Sequence, residues 1–201
     1  MTSKFFAYLE RLRWIKRWGL KRNVVEENVM EHSWQVATIA HVLGLISNRK
    51  FNGDVDPNAL AVAALYHDVS EIITGDMPSP IKYHSDAIKH AYHAIEREAE
   101  KEVLSTLPDE LHKPFEPLLL HDKFDAASVK FVKAADLISA YLKCQMEVAA
   151  GNKEFDDAKA DVEARIRALR MPEVDYFMAT FVDSYLLTLD ELLKHHDPTR
   201  N

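Results

Sequence analysis

The sequence predicts an all-α protein of one domain, a packed array of helices with short connections. Three observations carry this. Only 5 of its 201 residues are Gly, β-branched runs are scarce, and long Ala/Leu/Glu/Lys stretches dominate, which favours helix. Apolar residues recur at helical spacing instead of alternating as in half-buried strands. No low-complexity linker or internal repeat divides the chain, and its length suits one core of good size.

The elements follow in order. Phe5, Phe6, Leu9, Leu12 and Ile15, with Glu10, Arg11, Arg13 and Lys16 between them, form an amphipathic helix that stops near Trp18-Gly19. A connector runs through Asn28 into a second helix over about 31–47, and Asn52-Gly53-Asp54 is turn chemistry. Asp56 is an N-cap and Pro57 a first-turn proline. The stretch Ala59–Tyr66 that follows is apolar throughout, which predicts a helix buried all round. It runs on into His67-Asp68-Val69-Ser70-Glu71. Pro78 and Pro80 make 75–80 a loop. Helices are expected at about 84–106, 109–121, 126–149, 154–169 and 173–194, with Pro114 and Pro117 making 109–121 irregular.

Composition excludes several classes. Apolar content of 47% and charged content of 28% read as a soluble globular protein. A net charge of −7 weighs against binding a nucleic-acid polymer. It leaves room for a small anionic substrate. Cys144 is the only cysteine, so no internal disulfide forms. No apolar run reaches membrane-spanning length and the N-terminus lacks a signal segment, so no membrane partner and a cytoplasmic location are expected.

The chemistry concentrates where the apolar helix ends in charge. Buried charge is costly unless it is paired or binds a metal. Asp68 and Glu71 are three apart, and His67 and Glu71 four apart, so a helix brings each pair to one face. The simplest reason to aim a nitrogen and two carboxylates inward is to hold a metal ion with a water beside it. His32, taken alone, reads as an ordinary half-buried histidine. His41 falls on roughly the opposite face and should not share a metal with it. Asp136 falls on one helical arc with Lys133, Ser139, Lys143 and Glu147. Periodicity alone makes that arc solvated. Arg17-Trp18 ends the first helix, either as a surface Arg beside a core Trp or as a phosphate ligand beside a stacking ring. His90 and His93 look exposed, His195-His196 lies in a polar tail, and Cys144 reads as a small core residue.

Taken together, His32, then His67-Asp68, then Asp136 resembles the HD superfamily of metal-dependent phosphohydrolases. The likeness extends to Arg17-Trp18, Glu27-Asn-Val-Met-Glu-His-Ser33, Tyr66-His-Asp-Val-Ser-Glu71, Thr74-Gly-Asp-Met-Pro-Ser-Pro80, Ala134-Ala-Asp136, Tyr141-Leu-Lys-Cys144 and Met171-Pro-Glu-Val-Asp-Tyr-Phe177. These segments resemble the bacterial HD-domain 5′-deoxynucleotidases over nearly the whole chain. The resemblance implies a single HD domain over 1–201 with a metal core at about 28–140. It implies one divalent transition metal per chain, held by His32, His67, Asp68 and Asp136. This overturns the solvated reading of Asp136. A mixed N/O ligand set suits Mn, Fe, Co or Zn better than Mg or Ca, and the family points to Co2+ or Mn2+ in vitro, with Zn2+ or Fe2+ as further candidates. The implied activity removes phosphate from deoxyribonucleoside 5′-monophosphates, in a homodimer. Matched by position, Arg17 orients the phosphate and Trp18 crowds the sugar 2′ position. Glu71 acts on the nucleophilic water, and Asp76 contacts the substrate near its sugar or leaving oxygen. Met77, Pro78 and Ser79 line the rest of the substrate pocket, with His32, Asp68 and Asp136 also facing substrate. The family more often has Leu and Thr where Met77 and Ser79 stand, a change that keeps the apolar bulk and the hydroxyl.

Three other readings remain at this point. One is an HD phosphohydrolase acting on triphosphates or phosphodiesters. Another is a non-catalytic nucleotide-sensing HD module, which would not need Glu71 and Asp76. The last is a di-iron oxygenase on an HD core, needing further ligands from His41, His90 or His121.

Overall fold

The first helix is cut short by the chain that follows it. In a computed structural model describing residues 2–194, α1 (Phe5–Leu9) buries Phe5 and passes into a 3-10 segment, Glu10–Trp14. The expected run to Trp18-Gly19 therefore ends at Trp14. Ile15 is extended. Val29 N donates to Ile15 O at 3.0 Å, and Arg17 N to Glu27 O at 3.0 Å. These bonds clip the two ends of the connector together as one antiparallel bridge, Lys16 to Asn28. They replace the rungs a longer helix would have made. Arg17 and Trp18 thus sit on a clipped loop.

α2 (Val29–Lys50) starts before the expected Glu31 because Asn28 and Glu31 form a capping box. α3 (Pro57–Leu65) opens as expected, with Asp56 accepting from Asn58 N and Ala59 N. Gly44 lets α2 and α3 approach closely: a Cβ there would stand 2.9 Å from Leu60 Cδ1. α3 is not buried all round. Leu60, Ala63 and Ala64 are inside, while Val62 and Leu65 are 38% and 43% exposed. It also stops at Leu65, before His67.

α4 (Glu71–Thr74) ends at Gly75, whose φ of 69° suits glycine. The expected loop shortens, because Ser79 and Pro80 open α5 (Ser79–Lys82), and proline is tolerated in a first turn. α6 (Asp86–Ser105) is capped by Ser85. α7 (Asp109–Leu119) stays helical through Pro114 and Pro117, contrary to expectation. Both prolines are exposed, and their missing rungs fall at exposed Glu110 and Lys113. α8 (Ala126–Ala149) is capped by Asp125. A 3-10 turn then leads into α9 (Asp156–Ala168).

The expected helix over 173–194 is broken. α10 (Pro172–Phe181) gives way to a 3-10 segment that buries Val182, and α11 (Leu189–Lys194) follows an extended Leu187. Thr188 restarts the helix. Its N–H donates to the Glu191 carboxylate at 2.8 Å, and its hydroxyl accepts from Glu191 N. His195 and His196 lie outside the described residues.

Two apolar cores result. The larger joins α2, α3, α8, α9 and α10 around Leu43, Ile138 and Leu142. The smaller gathers Phe5, Val69, Val103, Leu107 and Leu119. Tyr66 and Val69, just after α3, pack into the smaller core. Cys144 is buried in α8, as expected. Among the described residues, no helix is long and apolar enough to cross a membrane.

The polar arc of α8 turns inward. Ser139, Lys143 and Glu147 are all buried. Lys143 pairs with Glu147 and donates to Val25 O. Glu147 accepts from Val24 N at 2.9 Å, Val25 N at 3.1 Å and Asn152 Nδ2 at 2.8 Å. The pair is the footing of the 16–28 loop. Burial raises the Glu147 carboxyl, but Lys143 and these donors outweigh it and hold it at about 2, against a usual 4.5. Because the folded value is depressed, this contribution is complete above about pH 4.5 and fades as pH falls towards 2. We expect Glu147→Gln to cost about 3–5 kcal/mol at pH 7, since it strands a buried lysine. Thermal melts should show the deficit narrowing below pH 4.5. A deficit that stays constant down to pH 2 would contradict the assignment.

Candidate active site

The chain leaves α3 through tight i→i+3 turns. Tyr66 N donates to Ala63 O, Val69 N to Tyr66 O and Glu71 N to Asp68 O, at 3.0–3.2 Å. At three residues per turn, positions i and i+3 eclipse, so Asp68 and Glu71 share a side where these turns pass into α4.

His67 is buried, and its Nδ1 donates to Ala64 O at 2.8 Å. Nδ1 is therefore a donor, and Nε2 is the nitrogen turned towards the carboxylates. His32 is held alike. Its Nδ1 lies 3.0 Å from Ser139 Oγ, which itself donates to Gln35 Oε1 at 2.6 Å. The Ser139 hydroxyl proton is thus committed elsewhere, and His32 Nδ1 must donate. Both Nε2 atoms are buried without a hydrogen-bond partner. Both face Asp68: His67 Nε2 lies 3.1 Å from its Oδ2, and His32 Nε2 lies 3.5 Å from that oxygen and 3.2 Å from Asp136 Oδ1. Ligand atoms of His32, His67 and Asp68 lie within 4.8 Å of one another. Orphaned imidazole nitrogens backed by acceptors and facing carboxylates are the donor set a divalent transition metal takes. The residues fit such an ion. Asp136 stands at the edge of this group, partly exposed.

A cavity of about 470 Å³ opens over these carboxylates. Arg17, Trp18, Asp68, Glu71, Asp76, Met77, Pro78, Ser79 and Asp136 all line it, as do Lys82 and Tyr92. His32 and His67 are not among its lining residues. A neighbouring groove of about 550 Å³ touches His32 instead, with mostly apolar walls that include Met30, Trp34 and Met146.

Charge in the cavity is finely divided. Arg17 is 11% exposed; its NH1 lies 3.5 Å from Asp68 Oδ2, and its Nε 3.3 Å from Glu27 Oε1. Burial works against its charge, but Glu27, Asp68 and Asp136 keep it protonated. Burial also opposes ionised Asp68, yet His67, His32 and Arg17 hold that carboxyl far below the usual range. Glu71 goes the other way. Burial, then the charges of Asp68 and Asp76, push it well above the usual carboxylate value, and its Oε2 is buried without a partner. Burial raises Asp76 too, against the pull of Arg17. A lowered Asp68 beside a raised Glu71 and Asp76 in one pocket suits acid–base chemistry.

Trp18 occupies left-handed backbone, φ 60°, which is rare for a bulky residue and gathers at functional sites. Four contacts hold it there. Its N–H donates to Asp76 Oδ2 at 3.2 Å, its Nε1 to Glu27 Oε2 at 3.1 Å, and its carbonyl accepts from Lys21 N at 2.9 Å. Its ring packs 5.4 Å from that of Phe155. Glu27 itself was not singled out from the sequence, because a loop carboxylate has no periodicity to betray it. Burial raises its carboxyl, but the bond from His32 and the Arg17 charge leave it below the usual value. Ser139 was visible on the polar arc but read as solvated. His121 pairs with Glu100 at 2.6 Å, and His90 Nδ1 with Asp86 O. Among the described residues neither joins a second metal cluster.

An all-α array that presents His67-Asp68 on a turn, opposite His32 and Asp136, has the fold of an HD-type phosphohydrolase. The chain belongs to the YfbR-like 5′-deoxynucleotidase family, whose model matches residues 4–185. A 5′-deoxynucleotidase from Yersinia pestis is 50% identical over 190 residues, covering 94% of this chain and 96% of that one. An HD-domain phosphohydrolase from Listeria innocua superposes with a TM-score of 0.80 at 26% identity, covering 94% of this chain and 92% of that one. A cyanophage HD phosphohydrolase, bound to dA and one catalytic Zn2+ ion, shares the fold with a TM-score of 0.60 at 21% identity; 92% of this chain and 97% of that one are covered.

Proposed function

We propose that this chain is a phosphoric monoester hydrolase that converts deoxyribonucleoside 5′-monophosphates to deoxynucleoside and inorganic phosphate. One observation carries the reading: two orphaned imidazole nitrogens and two carboxylates sit beside a cavity that also holds Arg17 and Trp18. His32, His67, Asp68 and Asp136 would hold one divalent transition metal, with Co2+ or Mn2+ the expected activators and Zn2+ or Fe2+ the alternatives. Such an ion supplies Lewis acidity, lowering the pKa of water and offsetting phosphoryl charge.

The chain's own residues do the rest. Arg17 binds and orients the phosphate, supplying fixed positive charge where negative charge develops. Glu71 accepts a proton from the water that attacks phosphorus. Asp76, whose carboxyl burial raises, gives a proton to the departing 5′ oxygen as the P–O bond breaks. Trp18 packs at the sugar edge and leaves a 2′-hydroxyl neither room nor a partner. Met77, Pro78 and Ser79 complete the wall with apolar surface, backbone and one hydroxyl, so the base is read loosely.

Phosphate release from matched deoxyribo- and ribonucleotides, with several metals, tests this. We expect dAMP to be hydrolysed well ahead of AMP, and elemental analysis to give about one transition metal per chain. Equal hydrolysis of AMP would overturn the deoxynucleotidase reading. Two metals per chain, falling to one in a His121→Ala variant, would overturn the mononuclear site.

The enzyme is read as a homodimer. Tyr185, Leu186, Leu189, Leu192 and Leu193 are 39–70% exposed and offer apolar surface to a second copy. Light scattering at micromolar concentration should return two chain masses, and one chain mass would refute the dimer.

A further inference from the structure

We propose that Glu27 is a positioning residue that locks sugar selection to the metal site through one carboxylate. Its side chain is 13% exposed and lies behind the cavity wall. One oxygen, Oε2, accepts from Trp18 Nε1 at 3.1 Å. The other, Oε1, lies 3.3 Å from Arg17 Nε and 3.3 Å from His32 Nδ1. Its own carbonyl accepts from Arg17 N at 3.0 Å, closing the bridge that shapes the loop. The residues proposed to read the sugar, the phosphate and the metal therefore meet on a single group.

Each contact has a separate consequence. The indole bond fixes the ring plane of a residue whose backbone is already strained. Freed, the ring could swing off the sugar edge and admit a 2′-hydroxyl. The Arg17 contact holds the inner side of the guanidinium, with NH1 turned to Asp68 and the rest of the head group facing the cavity. The His32 contact supports the donor role of Nδ1 beside Ser139, and such outer partners orient a ligand and raise its basicity. A carboxylate serves both sides because both oxygens accept. A carboxamide cannot, because one end is a donor. In Glu27→Gln the oxygen should turn to the Arg17 guanidinium and the His32 Nδ1–H, setting the amide N–H against the indole N–H.

The inference rests on the deoxynucleotidase reading, and its test separates the two. Metal-free protein is titrated calorimetrically with Co2+, and kcat/KM is measured for dAMP and AMP on loaded enzyme. Glu27→Ala should bind Co2+ about 10- to 100-fold more weakly. It should also lose about tenfold of the dAMP/AMP preference, the worth of one charge-assisted hydrogen bond. Glu27→Gln, which keeps the volume and answers if Glu27→Ala does not fold, should recover Co2+ affinity but not the preference. A merely structural carboxylate would lower the melting temperature and leave both readouts near those of the parent; that result overturns the proposal. So does a Glu27→Gln variant that matches the parent in both. A parent that treats dAMP and AMP alike fails the functional reading instead.

Discussion

Glu71→Ala is expected to lower turnover of dAMP by about 10²- to 10⁴-fold, the usual cost of losing a general base. Metal content and substrate binding should survive, because Glu71 lies outside the His32, His67 and Asp68 group. Stability should not fall. Glu71 is buried, its Oε2 has no partner, and its neighbours Asp68 and Asp76 bear like charge. Folding gains nothing from a carboxyl so placed, and its removal relieves desolvation and repulsion. The pairing of lost rate with unchanged or raised melting temperature distinguishes catalytic use from structural use. Glu71→Gln should behave alike, since shape is kept and the proton acceptor is not. Turnover near the parent rate in either variant would show that another group takes the proton.

Trp18→Ala should relax sugar selection. A desolvated, unpaired hydroxyl costs about 1–3 kcal/mol on mutational scales, which corresponds to roughly 5- to 150-fold in kcat/KM. The dAMP/AMP ratio should fall by that order, chiefly because AMP improves. Discrimination among dAMP, dGMP, dCMP and dTMP should stay slight in parent and variant. The residue is tied by Asp76, Glu27, Lys21 and Phe155, so some loss of loop order accompanies the change. That loss would depress both substrates, whereas removal of exclusion raises only the ribonucleotide. If the ratio is unchanged, the sugar is read elsewhere in the cavity.

The fold class, the order of the long helices and the cap of α3 at Asp56 were legible in the chain alone. Asp56 is a local signal, and local hydrogen bonds answered it as read, whereas the caps at Asn28 and Asp125 emerged only in the structure. The sequence also held the motif segments by which the family is recognised. Tertiary structure decided what local signals do not encode. It broke the last helix, because burying Val182 and capping at Thr188 outweigh a continuous apolar stripe. It ended α3 at Leu65 and built the metal-facing group on tight turns. It turned the α8 arc inward, where Ser139 sets the proton on His32 and the Lys143–Glu147 pair supports the 16–28 loop. It also gathered Arg17, Trp18 and His32 onto Glu27. Periodicity records which side chains share a helix face. Whether that face meets water or another segment depends on contacts between residues a hundred or more positions apart, such as Ser139 with His32, and these form only when the chain packs.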